Sequence, residues 1–110
     1  IWGDGSVVRD YIQVRDVGEA LILAANAPAD GTEINIGSGK GVSLRELIAL
    51  ITEIMGRPLD VSYAQGRSFD VPRNVLDIGR ARQLLGWRPR TSLRDGVAEL
   101  IAVLQDQVGR

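Results

Sequence analysis

Apolar and polar positions alternate in short blocks along the chain, and their spacing predicts brief strands between amphipathic helices. Ile1-Trp2, Asp4-Gly5 and Val7-Val8 predict a hairpin, because Asp-Gly suits a tight primed turn. Its second strand is expected to run on through Tyr11-Ile12. Asp16 is expected to cap a helix whose face is Val17, Ala20, Leu21, Ala24 and Ala25. Pro28 and Gly31 should end it. Glu33-Ile34-Asn35-Ile36 predicts a strand entering the loop Gly37-Ser38-Gly39-Lys40-Gly41. Ser43 and Glu46 have capping-box spacing. The helix they open carries Leu44, Leu47, Ile48, Ile51 and Met55 on one face and stops at Gly56. Leu59-Asp60-Val61-Ser62-Tyr63 alternates like a strand. An irregular polar stretch follows from Ala64 to Asn74 and carries Arg67, Phe69, Asp70 and Arg73. Polar loops of this length are more often functional than idle. A short helix through Ala81, Leu84 and Leu85 ends at Gly86-Trp87. Ser92 then caps a last helix with Asp95 in its first turn and Leu93, Val97, Leu100, Ile101, Leu104 and Val108 on its face. The pattern is α/β, with short strands and about four helices.

Composition narrows the chemistry. The 110 residues suffice for one small domain. A net charge of −1 gives no broad attraction to nucleic acid or to anionic membranes. Aromatic residues make up 5%, too few for a base-stacking platform. There is no cysteine and no histidine, so disulfides, thiolate metal sites and the commonest general base are excluded, and no metal site is expected. No apolar run approaches a membrane span, no signal peptide is visible, and the expected location is cytoplasmic. Ile1 in place of Met is expected of a piece of a longer protein.

The glycine loop spells G-x-G-x-G, which is neither a dinucleotide fingerprint nor a phosphate loop. Lys40 precedes Gly41, where a phosphate loop needs Ser or Thr. A Tyr-x-x-x-Lys pair is also missing: Arg15 follows Tyr11 and Arg67 follows Tyr63 at that spacing. No catalytic residue is therefore expected in this chain. The arginines are more informative. A guanidinium fork donates paired hydrogen bonds to diphosphate. Arg9 and Arg67 are candidates, with Asp70 orienting Arg67 or accepting from a ribose or sugar hydroxyl. Ordinary surface ion pairs remain the alternative. Trp87 is expected to plug the core.

The run Gly3-Asp4-Gly5-Ser6, Arg9-Asp10-Tyr11-Ile12, Val14, Asp16-Val17 resembles the late signature of extended short-chain dehydrogenase/reductases. These are NAD-dependent sugar-nucleotide epimerases and dehydratases. Four further stretches agree in order: Ile34 to Gly39, Ser43-Leu44-x-Glu46-Leu47, Arg67-x-x-Asp70, and Leu85-Gly86-Trp87-x-Pro89-x-x-Ser92-Leu93-x-x-Gly96. Family members commonly have His where Gln13 stands, and an acidic residue where Arg15 stands.

The resemblance implies that residues 1–110 are the C-terminal substrate-binding portion, without the N-terminal Rossmann domain that holds NAD and the catalytic Tyr-x-x-x-Lys. Residues 16–37 would supply a helix and strand that complete the Rossmann sheet. Arg9 and Arg67 would clamp the diphosphate of a sugar nucleotide, with Asp70 beside Arg67 and Tyr11 near the cleft. A UDP-sugar is favoured, and UDP-glucose 4-epimerase is the leading subtype. NAD is implied for the parent enzyme and is not expected on this chain alone. Two other classes stay open: a free-standing nucleotide-diphosphate binding module, and a structural or dimerisation domain. The strand at 33–36 would leave an edge open to self-association.

Overall fold

A computed structural model describes residues 1–28 and 30–108. In order, the elements are β1 (Val8–Arg9), α1 (Val14–Asn26), β2 (Val42–Ser43), α2 (Leu44–Met55), β3 (Arg73–Asn74), α3 (Gly79–Leu85) and α4 (Leu93–Val108). The α/β expectation and its four helices hold.

β1 is the central strand of a small sheet ordered β2-β1-β3. It runs antiparallel to β2, with Val8 opposite Ser43 and Arg9 opposite Val42. It runs parallel to β3, with Val8 opposite Arg73 and Arg9 opposite Asn74. It ends at Arg9, short of Tyr11-Ile12.

The expected hairpin does not form. A primed Asp-Gly turn needs positive φ at both central residues. Here positive φ falls on Gly3 and Gly5, and among the described residues no non-glycine adopts it. Trp2 instead bridges to Ala64 in parallel sense, and the Val8 N–H donates to the Pro72 carbonyl at 2.9 Å. Both flanks of the turn thus pair with the distant 62–74 stretch.

The strand expected at 59–63 is absent as a ladder, because its partner is the short segment 1–3. That pairing consists of the Ala64 bridge and its flanking hydrogen bonds. Residues 33–36 form no ladder among the described residues, although Ile34 and Ile36 pack against the core as an alternating strand would place them.

Asp16 is not the cap of α1. That position belongs to Gln13, whose Oε1 accepts from the Arg15 N–H at 3.0 Å. Asp16 lies in the first turn, where an anion suits the helix dipole. It is 4% exposed. Its carboxylate accepts the backbone N–H groups of Arg90 and Thr91 at 3.1 and 2.9 Å, so the chain before α4 takes what the cap would have used.

The other helix boundaries follow their local chemistry. Both halves of the Ser43/Glu46 capping box are present. The Asp95 N–H donates to Ser92 Oγ at 3.1 Å. Gly86 takes φ 64° at the end of α3, a left-handed turn that suits glycine. That turn drops Trp87 into the core beside Ala20, Ile78 and Ala81.

α1 packs on α3, and α2 packs on α4. The molecule is thin, with extents of 48 × 40 × 19 Å. Its radius of gyration is 16.6 Å; a compact chain of this length would have about 13 Å. Large apolar side chains stay exposed on α1 (Leu21, Ile22) and on α4 (Leu100, Val103, Leu104). Among the described residues no helix is long and apolar enough to cross a membrane.

Candidate functional site

Arg9 leaves the sheet at the end of its central strand. Its Nη1 donates to the carbonyl of Val8 at 2.8 Å and to that of Val71 at 2.7 Å. Carbonyl acceptors hold the guanidinium in place without neutralising it. Its Nε and Nη2 have no hydrogen-bond partner among the described residues and stay available to an anion.

Val71 closes the loop that carries the second arginine. The Asp70 N–H donates to the Arg67 carbonyl at 3.2 Å, which curls the loop back on itself. Arg67 Nε then meets Asp70 Oδ2 at 3.0 Å, and its Nη2 meets Oδ1 at 3.1 Å. This bidentate pair fixes the plane of the guanidinium. The Arg67 guanidinium carbon also sits 4.8 Å from the Trp2 ring centre and 5.0 Å from that of Phe69. Distances under about 6 Å bring cation–π attraction into play. Phe69 is 74% exposed and Trp2 51%. The cluster thus offers two cations, one carboxylate and two open aromatic faces.

The structure brings together three of the four residues expected from sequence. Arg67 and Asp70 are in direct contact, and Arg9 reaches the next residue, Val71. Tyr11 is half-buried two residues beyond Arg9, and no hydrogen bond among the described residues joins it to the other three.

Sequence reasoning missed Trp2, which was assigned to a hairpin. It reaches Arg67 because the Ala64 bridge carries residues 1–3 alongside the loop. No local spacing signals a contact between residues 2 and 67.

Asp10 was missed as well. Its carboxylate accepts from Ser38 Oγ at 2.6 Å and Ser38 N at 2.7 Å, and from the N–H groups of Gly39 at 3.0 Å and Leu76 at 3.2 Å. Partial burial pushes its pKa up, but the bonds from Ser38, Leu76 and Gly39 outweigh it and hold the carboxyl below its ordinary range. The glycine loop is therefore wrapped round a carboxylate, and Asp10 ties it to the strand that carries Arg9. Among the described residues no acidic cluster is suited to a metal ion.

The family model for GDP-mannose 4,6 dehydratase matches residues 1–100. The chain belongs to that family. The expected resemblance to sugar-nucleotide epimerases and dehydratases therefore holds. Among curated relatives of this dehydratase-family chain, UDP-glucose 4-epimerase of Mycolicibacterium smegmatis is 36% identical over 107 residues, covering 97% of this chain and 34% of that protein. GDP-L-fucose synthase 1 of Arabidopsis thaliana is 32% identical over 99 residues, covering 90% of this chain and 30% of its own length. The chain spans about a third of the length of the curated relatives it matches.

Solved structures agree. The UDP-glucose 4-epimerase of Thermotoga maritima with UDP-glucose superposes with a TM-score of 0.91 at 36% identity, over 98% of this chain and 35% of that one. MoeE5 in complex with UDP-glucuronic acid and NAD gives 0.92 at 35% identity, over 97% of this chain and 36% of its own.

Proposed function

We propose that this chain supplies the nucleotide-diphosphate-binding part of an NAD-dependent sugar-nucleotide epimerase or dehydratase, with UDP-glucose 4-epimerase the leading subtype. The observation that carries the reading is the Arg67 guanidinium, held by Asp70 over the exposed rings of Trp2 and Phe69, with Arg9 tied to the same loop through Val71. In this reading the two forks hold the diphosphate. Trp2 and Phe69 offer faces to a planar base, and Asp70 keeps Arg67 oriented and accepts from a ribose hydroxyl. The UDP-glucose 4-epimerase relative and the neighbours bound to UDP-sugars favour a UDP-sugar, and a GDP-sugar is the alternative that the family model and the GDP-L-fucose synthase relative support.

The glycine loop and Lys40 do not fit NAD. The Ser38 and Gly39 N–H groups, which a phosphate would need, already donate to Asp10. No tyrosine stands four residues before Lys40. No hydride or proton step is therefore assigned to these residues. Their contribution is positioning: binding at the diphosphate holds a sugar for chemistry supplied by other parts of a longer enzyme.

Isothermal titration with UDP tests the reading. Each charged hydrogen-bonding group removed is worth about 1.5–3 kcal/mol. Saturable binding is expected, and it should be lost in Arg9→Ala/Arg67→Ala. The structural-domain alternative predicts no binding by the native chain.

A further inference from the structure

A cavity of about 630 Å³ is lined by Ser38, Lys40, Arg82, Arg88, Pro89 and Arg90. It shares no residue with the Arg9/Arg67 cluster. Four of its six lining residues are cationic and none is acidic, in a chain whose net charge is −1. Arg90 pairs with Glu19 at 3.2 Å. The side chains of Lys40, Arg82 and Arg88 have no carboxylate partner among the described residues.

Like charges gathered in this way repel one another, and the fold nonetheless holds the backbone beneath them in place. The buried Trp87 indole donates to the Asp16 carbonyl, and the Asp16 carboxylate takes the N–H groups of Arg90 and Thr91. Residues 88–90 are thereby fixed between two anchors. Lys40 sits on the loop clamped by Asp10, and its own N–H donates to Ser38 Oγ at 3.1 Å. Arg82 stands in the last turn of α3, where a cation also suits the helix dipole.

We propose that this cavity binds a polyphosphate chain, either free or as part of a nucleoside triphosphate. Guanidinium groups bind phosphate through paired hydrogen bonds, and a chain of phosphates meets several cations at once where a single phosphate meets one. The volume lies within the range of about 300–1,000 Å³ usual for small-molecule sites. Pro89 is the one apolar lining residue, so charge dominates recognition. Ser38 belongs both to the cavity and to the Asp10 clamp beside Arg9, which gives occupancy a short route to the nucleotide-diphosphate site.

Calorimetric titration of the chain with inorganic tripolyphosphate, and separately with ATP, tests this. Tripolyphosphate should saturate at one per chain and weaken as salt rises, and ATP should bind with comparable affinity to the Arg9→Ala/Arg67→Ala chain, where the nucleotide-diphosphate site is removed. Arg82→Gln/Arg88→Gln should lower the affinity for both by about a hundredfold or more, by loss of two charged donors, with an unchanged circular dichroism spectrum. Arg9→Ala/Arg67→Ala should leave tripolyphosphate binding intact, which separates this site from the UDP reading. Absence of saturation overturns the proposal. So does an affinity indifferent to the Arg82/Arg88 change, binding of ATP alone, or loss of tripolyphosphate binding in the Arg9/Arg67 variant.

Discussion

The indole N–H of Trp87 donates to the backbone carbonyl of Asp16 at 2.9 Å, across 71 residues of chain, and both residues are buried. This bond joins the turn after α3 to the first turn of α1. Trp87→Phe keeps an aromatic ring but leaves that carbonyl without its donor. The expected loss is about 1–3 kcal/mol, read as a lower urea midpoint with an unchanged slope. Trp87→Ala should cost more, about 3–5 kcal/mol, because a cavity opens as well.

Asp10 gives a pH-dependent prediction. Its folded pKa lies below the ordinary value of 3.8. A carboxylate of this kind contributes stability above the unfolded pKa and loses it as pH falls through the folded one. Asp10→Asn should destabilise by about 1–3 kcal/mol at neutral pH, since an amide offers one acceptor oxygen where four donors converge. The difference from the native chain should shrink as pH drops below about 4. Denaturation curves from pH 7 downward check this. A difference that does not vary with pH would contradict the assignment.

Gly37 shows how tightly that carboxylate is enclosed. A Cβ there would lie 2.8 Å from Asp10 Oδ2 and 3.0 Å from Leu76 Cδ1. Gly37→Ala should therefore cost about 1–3 kcal/mol through overpacking. UDP affinity should fall with it, because Arg9 sits next to Asp10 in the chain. Thermal melts and titration of the same variant measure both effects.

Self-association is the fourth expectation. Residues 33–36 form no ladder among the described residues, and Leu21 and Ile22 of α1 stay exposed. The proposed role of residues 16–37 is to join a larger sheet, and the same surface should let copies of this chain meet. Sedimentation velocity should show an average mass rising with concentration. A monomer that persists at high concentration would remove the idea.

Helix positions were legible in the sequence because caps and periodicity are local. Ser43 with Glu46, Gly56, Gly86 and Ser92 all act where spacing placed them. The strands were not legible, since each is two residues long and exists through pairing with a distant segment. The same distance hid Trp2 beside Arg67. The role of Asp16 was hidden for a related reason, and so was that of Asp10. Asp16, just before a helical pattern, looks like a cap, and only the fold shows that it and Asp10 hold backbone N–H groups from 28 to 75 residues away. Arg9, Arg67 and Asp70 were singled out from guanidinium chemistry and the resemblance; that Arg9 reaches the Arg67–Asp70 loop through the Val71 carbonyl could be read only from the fold.

Whether Arg9 and Arg67 hold a nucleotide diphosphate can be measured directly. Calorimetric titration of UDP into the native chain and into Arg67→Ala measures it. Saturable binding should weaken by about tenfold to a hundredfold in the variant, the loss of one charged hydrogen-bonding group. An affinity for UDP that does not change when Arg67 is removed would contradict the central claim.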